Sequence, residues 1–225
     1  MKKTVLATVS ALALGLVSPA EAAPPPSPFT WTGCYVGGHV GYGWSTNRGM
    51  DYGSPSYSIN YNGSGGIYGG QVGCDYQAMA NPWVFGLQGA YSGANIHGNG
   101  QNNQGTDVSN KITSLGSITG RIGYAGFNPQ VMIYGKGGWG FAKQDQFRSG
   151  DGTVSVSRDG WTAGGGVEWA LDPVGFRNWS AFLEYEHYHF GNKTYIIGIL
   201  EETTRTNVDV IKLGVNYRFN FGGVR

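Results

Sequence analysis

The chain has 225 residues and a formal net charge of +1, with 13% charged residues, 14% aromatic residues and 40 glycines. A soluble globular domain carries charge on about a quarter of its residues, so that class fits poorly. The near-balanced charge gives no basis for nucleic acid as a partner.

The first 22 residues read as an export signal. Lys2 and Lys3 precede an apolar core from Val5 to Val17, and Ala20-Glu21-Ala22 supplies small residues for cleavage after Ala22. The core is shorter than the roughly 20 residues of a spanning helix. Loss of Lys2, Lys3 and Glu21 brings the 15 basic and 14 acidic residues to 13 of each. Residues 23–30 follow as a Pro-rich linker that cannot join a β-ladder.

Eight strand-like segments come next: 31–44, 65–77, 83–96, 110–125, 131–144, 159–170, 179–190 and 207–219. Each is long enough for the ~9–11 residues that a tilted strand needs to cross a bilayer. The connections between them span 20, 5, 13, 5, 14, 8 and 16 residues. The short ones have turn chemistry, as in Met79-Ala80-Asn81-Pro82, Gly126-Phe127-Asn128-Pro129 and Asp172-Pro173-Val174-Gly175. The long ones are polar and Gly-rich. Alternating long and short links over an even number of antiparallel strands predict an all-β, up-and-down transmembrane barrel with short periplasmic turns and long outer loops. Its bounds are 31–219, and 220–225 remain as a C-terminal extension.

Aromatic residues fall in two bands. Trp31, Tyr76, Trp83, Tyr124, Trp179, Tyr217 and Phe219 sit next to the short turns or the termini, and Trp44, Tyr91, Trp139, Phe141 and Trp161 toward the other ends. Such bands mark the two headgroup boundaries of a bilayer.

Phasing each strand by its apolar set leaves Asp75, Arg121, Lys136, Glu168, Glu184, Glu186, Lys212 and Arg218 pointing inward. An eight-stranded barrel is just wide enough to be filled by its own side chains, and sealed charges must be paired. The expectation is a salt-bridged lumen plug, with a gated ion path as the other reading. Glycines at alternating positions, among them Gly164 and Gly166, leave room for the long inward side chains.

Cys34 and Cys74 share the outward phase near the periplasmic rim. An oxidising periplasm favours a disulfide across this hairpin; the other reading is a pair of small apolar side chains. His187 and His189 share one face of the seventh segment, with His97 ending the third on the same side, so haem or metal at the outer rim competes with polar residues at a wet strand end. Barrel deacylases carry a Ser two residues after such a His, but here that position is His189, and no enzyme is expected. Gly135-Lys136-Gly137-Gly138-Trp139-Gly140 fits a dinucleotide pattern but has no helix to follow it. No cofactor is expected.

The last segment alternates most strictly. Ile211, Leu213, Val215, Tyr217 and Phe219 form an apolar face, opposite Lys212, Asn216 and Arg218. In a soluble sandwich that face would meet a second sheet. In a membrane it meets lipid, and the strand closes against the first segment because hydrocarbon tolerates no unpaired edge. Lys212 and Arg218 are then expected to pair with acids such as Glu184 or Glu186.

Four stretches carry a resemblance: Thr32-Gly33-Cys34-Tyr35-Val36-Gly37-Gly38, Gly69 to Gln77, Gly120-Arg121-Ile122-Gly123-Tyr124-Ala125 and Glu184 to Gly191. With them the mature chain resembles the alphaproteobacterial porin-like outer membrane family, eight-stranded barrels similar to the OmpA transmembrane domain. The resemblance implies a surface protein of the outer membrane with structural, adhesive or immunogenic roles. It brings outer-membrane lipid, lipopolysaccharide and the barrel-assembly machinery as partners, and haemin or host molecules as ligands of the outer loops; no haemin motif carries over. Unlike OmpA, no peptidoglycan-binding domain is expected. Lys212, Gly214, Tyr217 and Phe219 match the family's terminal assembly signal, although six residues follow it here.

Overall fold

A computed structural model describes residues 29–51, 57–101, 107–148, 152–197 and 200–219. The export signal, its cleavage site, all but the last two residues of the linker, and the 220–225 extension lie outside them. Alternation of apolar and polar side chains builds eight strands: β1 (Gly33–Asp51), β2 (Tyr57–Gln77), β3 (Trp83–Gln101), β4 (Asp107–Asn128), β5 (Val131–Arg148), β6 (Gly152–Ala170), β7 (Trp179–Ile197) and β8 (Leu200–Phe219). Every neighbour in the ring pairs antiparallel, and β1 closes against β8 from Cys34↔Phe219 to Asp51↔Glu202. Closure leaves no edge, which is what a sheet in hydrocarbon requires.

The periplasmic ends of the strands fall within a few residues of those expected from the sequence. The outer ends do not: β1, β3, β5 and β7 run on to Asp51, Gln101, Arg148 and Ile197 through residues expected as loop. The cause is that pairing uses backbone groups, whereas the apolar alternation that marks a strand in sequence stops where lipid stops. Gly98↔Asn110 and Thr194↔Thr203 are paired rungs with no apolar side chain. At the periplasmic side, a 3-10 turn over Asp172–Val174 ends on Gly175 at φ 93°, and Asn178 at φ 66° donates its N–H to the Asp172 carboxylate at 2.9 Å.

The lipid-facing surface is apolar between two aromatic bands. Val36, Val40, Val72, Leu87, Ile118, Ile122, Ile133, Leu183, Leu213 and Val215 are all exposed outward. Trp83 packs on Tyr124 and Trp179 on Tyr217 in the periplasmic band, and Trp139 packs on Phe141 in the outer one. Trp31 corrects the expected banding. It is fully buried, beneath the lumen, with its indole N–H donating to the Pro129 carbonyl at 3.0 Å. Its odd parity matches inward Tyr35 rather than outward Cys34.

Inside, two apolar clusters bracket a charged middle. Trp31, Val84, Ala125, Met132, Tyr134 and Ala170 form the periplasmic one. Toward the outer end Ile67, Ile96, Ile112, Leu115, Tyr188, Phe190, Val208 and Val210 pack across the barrel. The sequence reading expected a polar lumen and missed these layers.

Candidate functional site: the lumen charge network

The eight inward charges lie in two groups of four. The periplasmic group joins Asp75 of β2, Arg121 of β4, Glu168 of β6 and Arg218 of β8. Arg121 grips Asp75 with two parallel bonds, Nε to Oδ1 at 2.8 Å and Nη2 to Oδ2 at 2.6 Å, and reaches Glu168 at 3.0 Å. Arg218 donates to the same Asp75 oxygen at 2.9 Å and lies 3.6 Å from Glu168. The Arg218 pairing corrects one expectation: its partners are Asp75 and Glu168, not Glu184 or Glu186. Aromatic faces cover the guanidiniums. Arg121 lies over Tyr35 and Tyr134 at 5.0 and 4.9 Å, and Arg218 over Trp31 and Tyr35 at 5.3 and 5.1 Å. Arg218 also donates to the Trp31 carbonyl at 2.6 Å, tying the segment before β1 to the lumen mouth.

The second group joins Lys136 of β5, Glu184 and Glu186 of β7, and Lys212 of β8. Each lysine contacts both carboxylates: Lys136 at 2.8 and 3.0 Å, Lys212 at 2.6 and 2.5 Å. The local sequence explains how they meet. Glu184 and Glu186 are two apart on one strand and so share a face, and Glu184 pairs in register with Lys212. Lys136 must reach over the intervening β6, where Gly164 and Gly166 occupy the inward positions. A Cβ at Gly166 would lie 2.9 Å from the Tyr134 hydroxyl, and one at Gly164 3.0 Å from the Glu186 Cα. These two glycines create the gap that the ion pairs cross.

Tyr134 couples the groups, its ring against Arg121 and its hydroxyl donating to Glu184 at 2.9 Å. Neutral side chains complete the shell. Ser180 and Asn216 donate to Glu168 at 2.6 and 2.9 Å, Thr162 donates to Glu186 at 3.0 Å, and an amide relay runs from Gln88 through Gln71 to Asn216. Sequence reasoning named none of Tyr35, Gln71, Gln88, Tyr134, Thr162 or Ser180 as network residues. Their inward parity was the available signal. Each group holds two acids and two bases, so each is neutral. That pairing is what offsets the several kcal/mol per ion that burial costs.

The other candidate residues lie elsewhere. Cys34 and Cys74 are register partners on the outward face and are bonded, S–S 2.02 Å. Lys212 is the inward member of the terminal assembly pattern, while Tyr217 and Phe219 face outward and meet edge to face, ring centroids 5.1 Å apart. Gly214 is required by space: a Cβ there would sit 2.4 Å from the Gly38 carbonyl oxygen and 2.5 Å from the Phe182 ring. His187 and His189 face outward on β7, hydrogen-bonded to Asp209 at 2.7 Å and Asn207 at 2.8 Å, with Trp161 against both rings. His97 is on β3, which is not a neighbour of β7 in the ring, so the structure does not bring it to them. Among the described residues no cluster of three or more metal-ligating side chains occurs.

A closed antiparallel barrel with an apolar belt and a packed interior defines a β-barrel membrane protein of the small, side-chain-filled kind. Residues 9–219 match the model of the outer membrane protein beta-barrel domain, and the chain belongs to that family. It is similar to the 31 kDa outer-membrane immunogenic protein of Brucella melitensis, 27% identical with 97% of this chain and 100% of that protein covered. The 25 kDa outer-membrane immunogenic protein of Brucella abortus is 29% identical, with 90% of this chain and 84% of that one covered. The fold is shared with the outer membrane protein OprG from Pseudomonas aeruginosa, TM-score 0.50 at 10% identity, covering 84% of this chain and 96% of that one. The protein is an outer-membrane β-barrel.

Proposed function

We propose that this barrel is a non-enzymatic surface protein that stabilises the envelope and displays its outer hairpins, with a lumen that does not conduct. The observation that carries the reading is the filled interior. Two neutral ion-pair groups, with side chains 2% exposed or less, lie between apolar layers built by Trp31 and Met132 below and by Ile96, Phe190 and Val208 above. A charge entering this path would have to break paired groups in a medium that cannot hydrate them. The immunogenic naming of the Brucella relatives supports surface display. Against catalysis, the position two residues after His187, where barrel deacylases carry Ser, holds His189, whose ring is bonded to Asn207 and Arg205. The terminal pattern Lys212, Gly214, Tyr217 and Phe219 belongs in this reading to recognition by the barrel-assembly machinery.

Two assays test the proposal. Proteoliposomes containing the refolded chain should swell in small sugars no faster than empty ones. Deleting the gene should raise detergent sensitivity, and the wild-type chain should restore it. Sugar-dependent swelling, or a deletion strain with an unaltered envelope, would refute it.

A further inference from the structure

The outward face carries one unusual juxtaposition beyond the outer aromatic band. Trp44 lies opposite Asp209 across the β1–β8 seam, and four rungs further out Arg48 lies opposite Arg205. Both arginines are exposed. Cβ atoms of directly opposed residues on antiparallel strands lie ~4.5–5.5 Å apart, and like charges there repel. Among the residues whose side chains are described, no carboxylate comes within ion-pair distance of either. Asp209, the acid on the same face of β8, is engaged by Tyr185 and His187. On another wall of the barrel the pattern is the ordinary one, with Lys111 opposite Asp145.

Arg205 is moreover held in place. Its Nη2 donates to Nε2 of His189 at 3.0 Å, and Nδ1 of His189 meets the Asn207 side-chain oxygen at 2.8 Å. An imidazole that accepts at Nε2 and donates at Nδ1 is neutral. Trp161 stacks on that ring with centroids 5.2 Å apart and planes at 25°. A guanidinium is thus positioned through a histidine anchored on a girdle tryptophan.

We infer that Arg48 and Arg205 form a receptor for a phosphate group on the saccharide headgroup of an outer-leaflet lipid. Height supports this source. Four residues beyond Trp44 is ~13 Å along a strand, or ~10 Å above the aromatic ring at the tilt of such barrels, which is the headgroup layer. Chemistry supports it too: planar guanidinium forks take phosphate oxygens in pairs, and one phosphate between Arg48 and Arg205 converts their repulsion into two attractions. The inference rests on the outer-membrane placement and is independent of whether the lumen conducts.

The test titrates the full exported chain, refolded in dodecyl maltoside, with diphosphorylated lipid A, with the same lipid dephosphorylated, and with inorganic phosphate. Phosphorylated lipid A should bind, and the other two should bind at least tenfold more weakly. R48Q/R205Q should weaken lipid A binding ~30-fold, taking ~1 kcal/mol per arginine at an anionic surface. R48K/R205K should recover part of that loss, and K111Q/K143Q should bind as wild type does. Equal affinity of R48Q/R205Q and wild type would overturn the assignment, as would equal binding of the dephosphorylated lipid. Inorganic phosphate binding as tightly as lipid A would overturn the lipid source. Heat-modifiable gel mobility checks the folding of each variant; should R48Q/R205Q not fold, the lysine variant and the dephosphorylated lipid decide.

Discussion

Breaking and then rebalancing the second charge group gives the sharpest energetic prediction. Glu184→Gln removes one acid while keeping volume and the acceptor for Tyr134, which leaves Lys136 and Lys212 sharing Glu186 alone at 3.0 and 2.5 Å. Lys212→Met leaves Glu184 and Glu186 with Lys136 alone at 2.8 and 3.0 Å. Either single change strands one unit of charge among side chains that are essentially unexposed, for which ~3–5 kcal/mol is the expected loss. The double variant keeps the Lys136–Glu186 pair and restores neutrality, so its loss should be only ~1–2 kcal/mol, giving a coupling of ~4 kcal/mol or more. Urea unfolding of the barrel reconstituted in lipid vesicles, analysed by linear extrapolation, measures all three. Losses that simply add, or single variants within ~1 kcal/mol of wild type, would refute the claim that this group is dry and mutually dependent.

Other outcomes follow from the same structure. The Cys34–Cys74 bond closes a sequence separation of 40, and its removal in Cys34→Ala/Cys74→Ala should lower unfolding free energy by ~2–4 kcal/mol through the unfolded chain, read as a reduced urea midpoint matched by reducing agent on the wild type. Gly214→Val should destabilise by ~1–3 kcal/mol, because its Cβ would overlap Gly38 and the Phe182 ring; adding Phe182→Ala should recover part of this on the same unfolding curve. Leu213→Arg, on the lipid face opposite Leu183 and Val40, should cost ~2–4 kcal/mol if it lies near the bilayer midplane, with the same assay as check.

What could be read from sequence follows what each physical constraint writes into it. The lipid face wrote a strict alternation, so Ile211, Leu213 and Val215 fixed both the strand and its phase, and the phase placed Lys212 and Arg218 on the inner wall. Which acid each cation meets depends on register and ring position, which parity does not contain; Arg218 meets Asp75 because Tyr35↔Arg218 and Gly33↔Asp75 are rungs near the same rim. The outer apolar layer was legible in part, since Val208 and Val210 share the phase of Lys212, yet an apolar inward residue looks like a break in pattern until the opposite wall is known. In β4 the irregularity between Ile112 and Ser114 shifts the buried set from even to odd numbers, and nothing local in Lys111-Ile112-Thr113-Ser114 announces it. Strand beyond the membrane is signalled unevenly: Tyr57-Ser58-Ile59-Asn60-Tyr61 and Thr153-Val154-Ser155-Val156-Ser157 alternate, whereas Gly98 to Gln101 and Thr203 to Asn207 carry no apolar side chain.

Single-channel recording in planar bilayers tests the central claim, that the lumen is filled and does not conduct, most directly. The refolded chain should give no stable unitary steps, and Arg121→Ala or Glu184→Gln, which unpair the network, should give more frequent current events than wild type. A reproducible unitary conductance from the wild-type chain, altered by either substitution, would contradict the account.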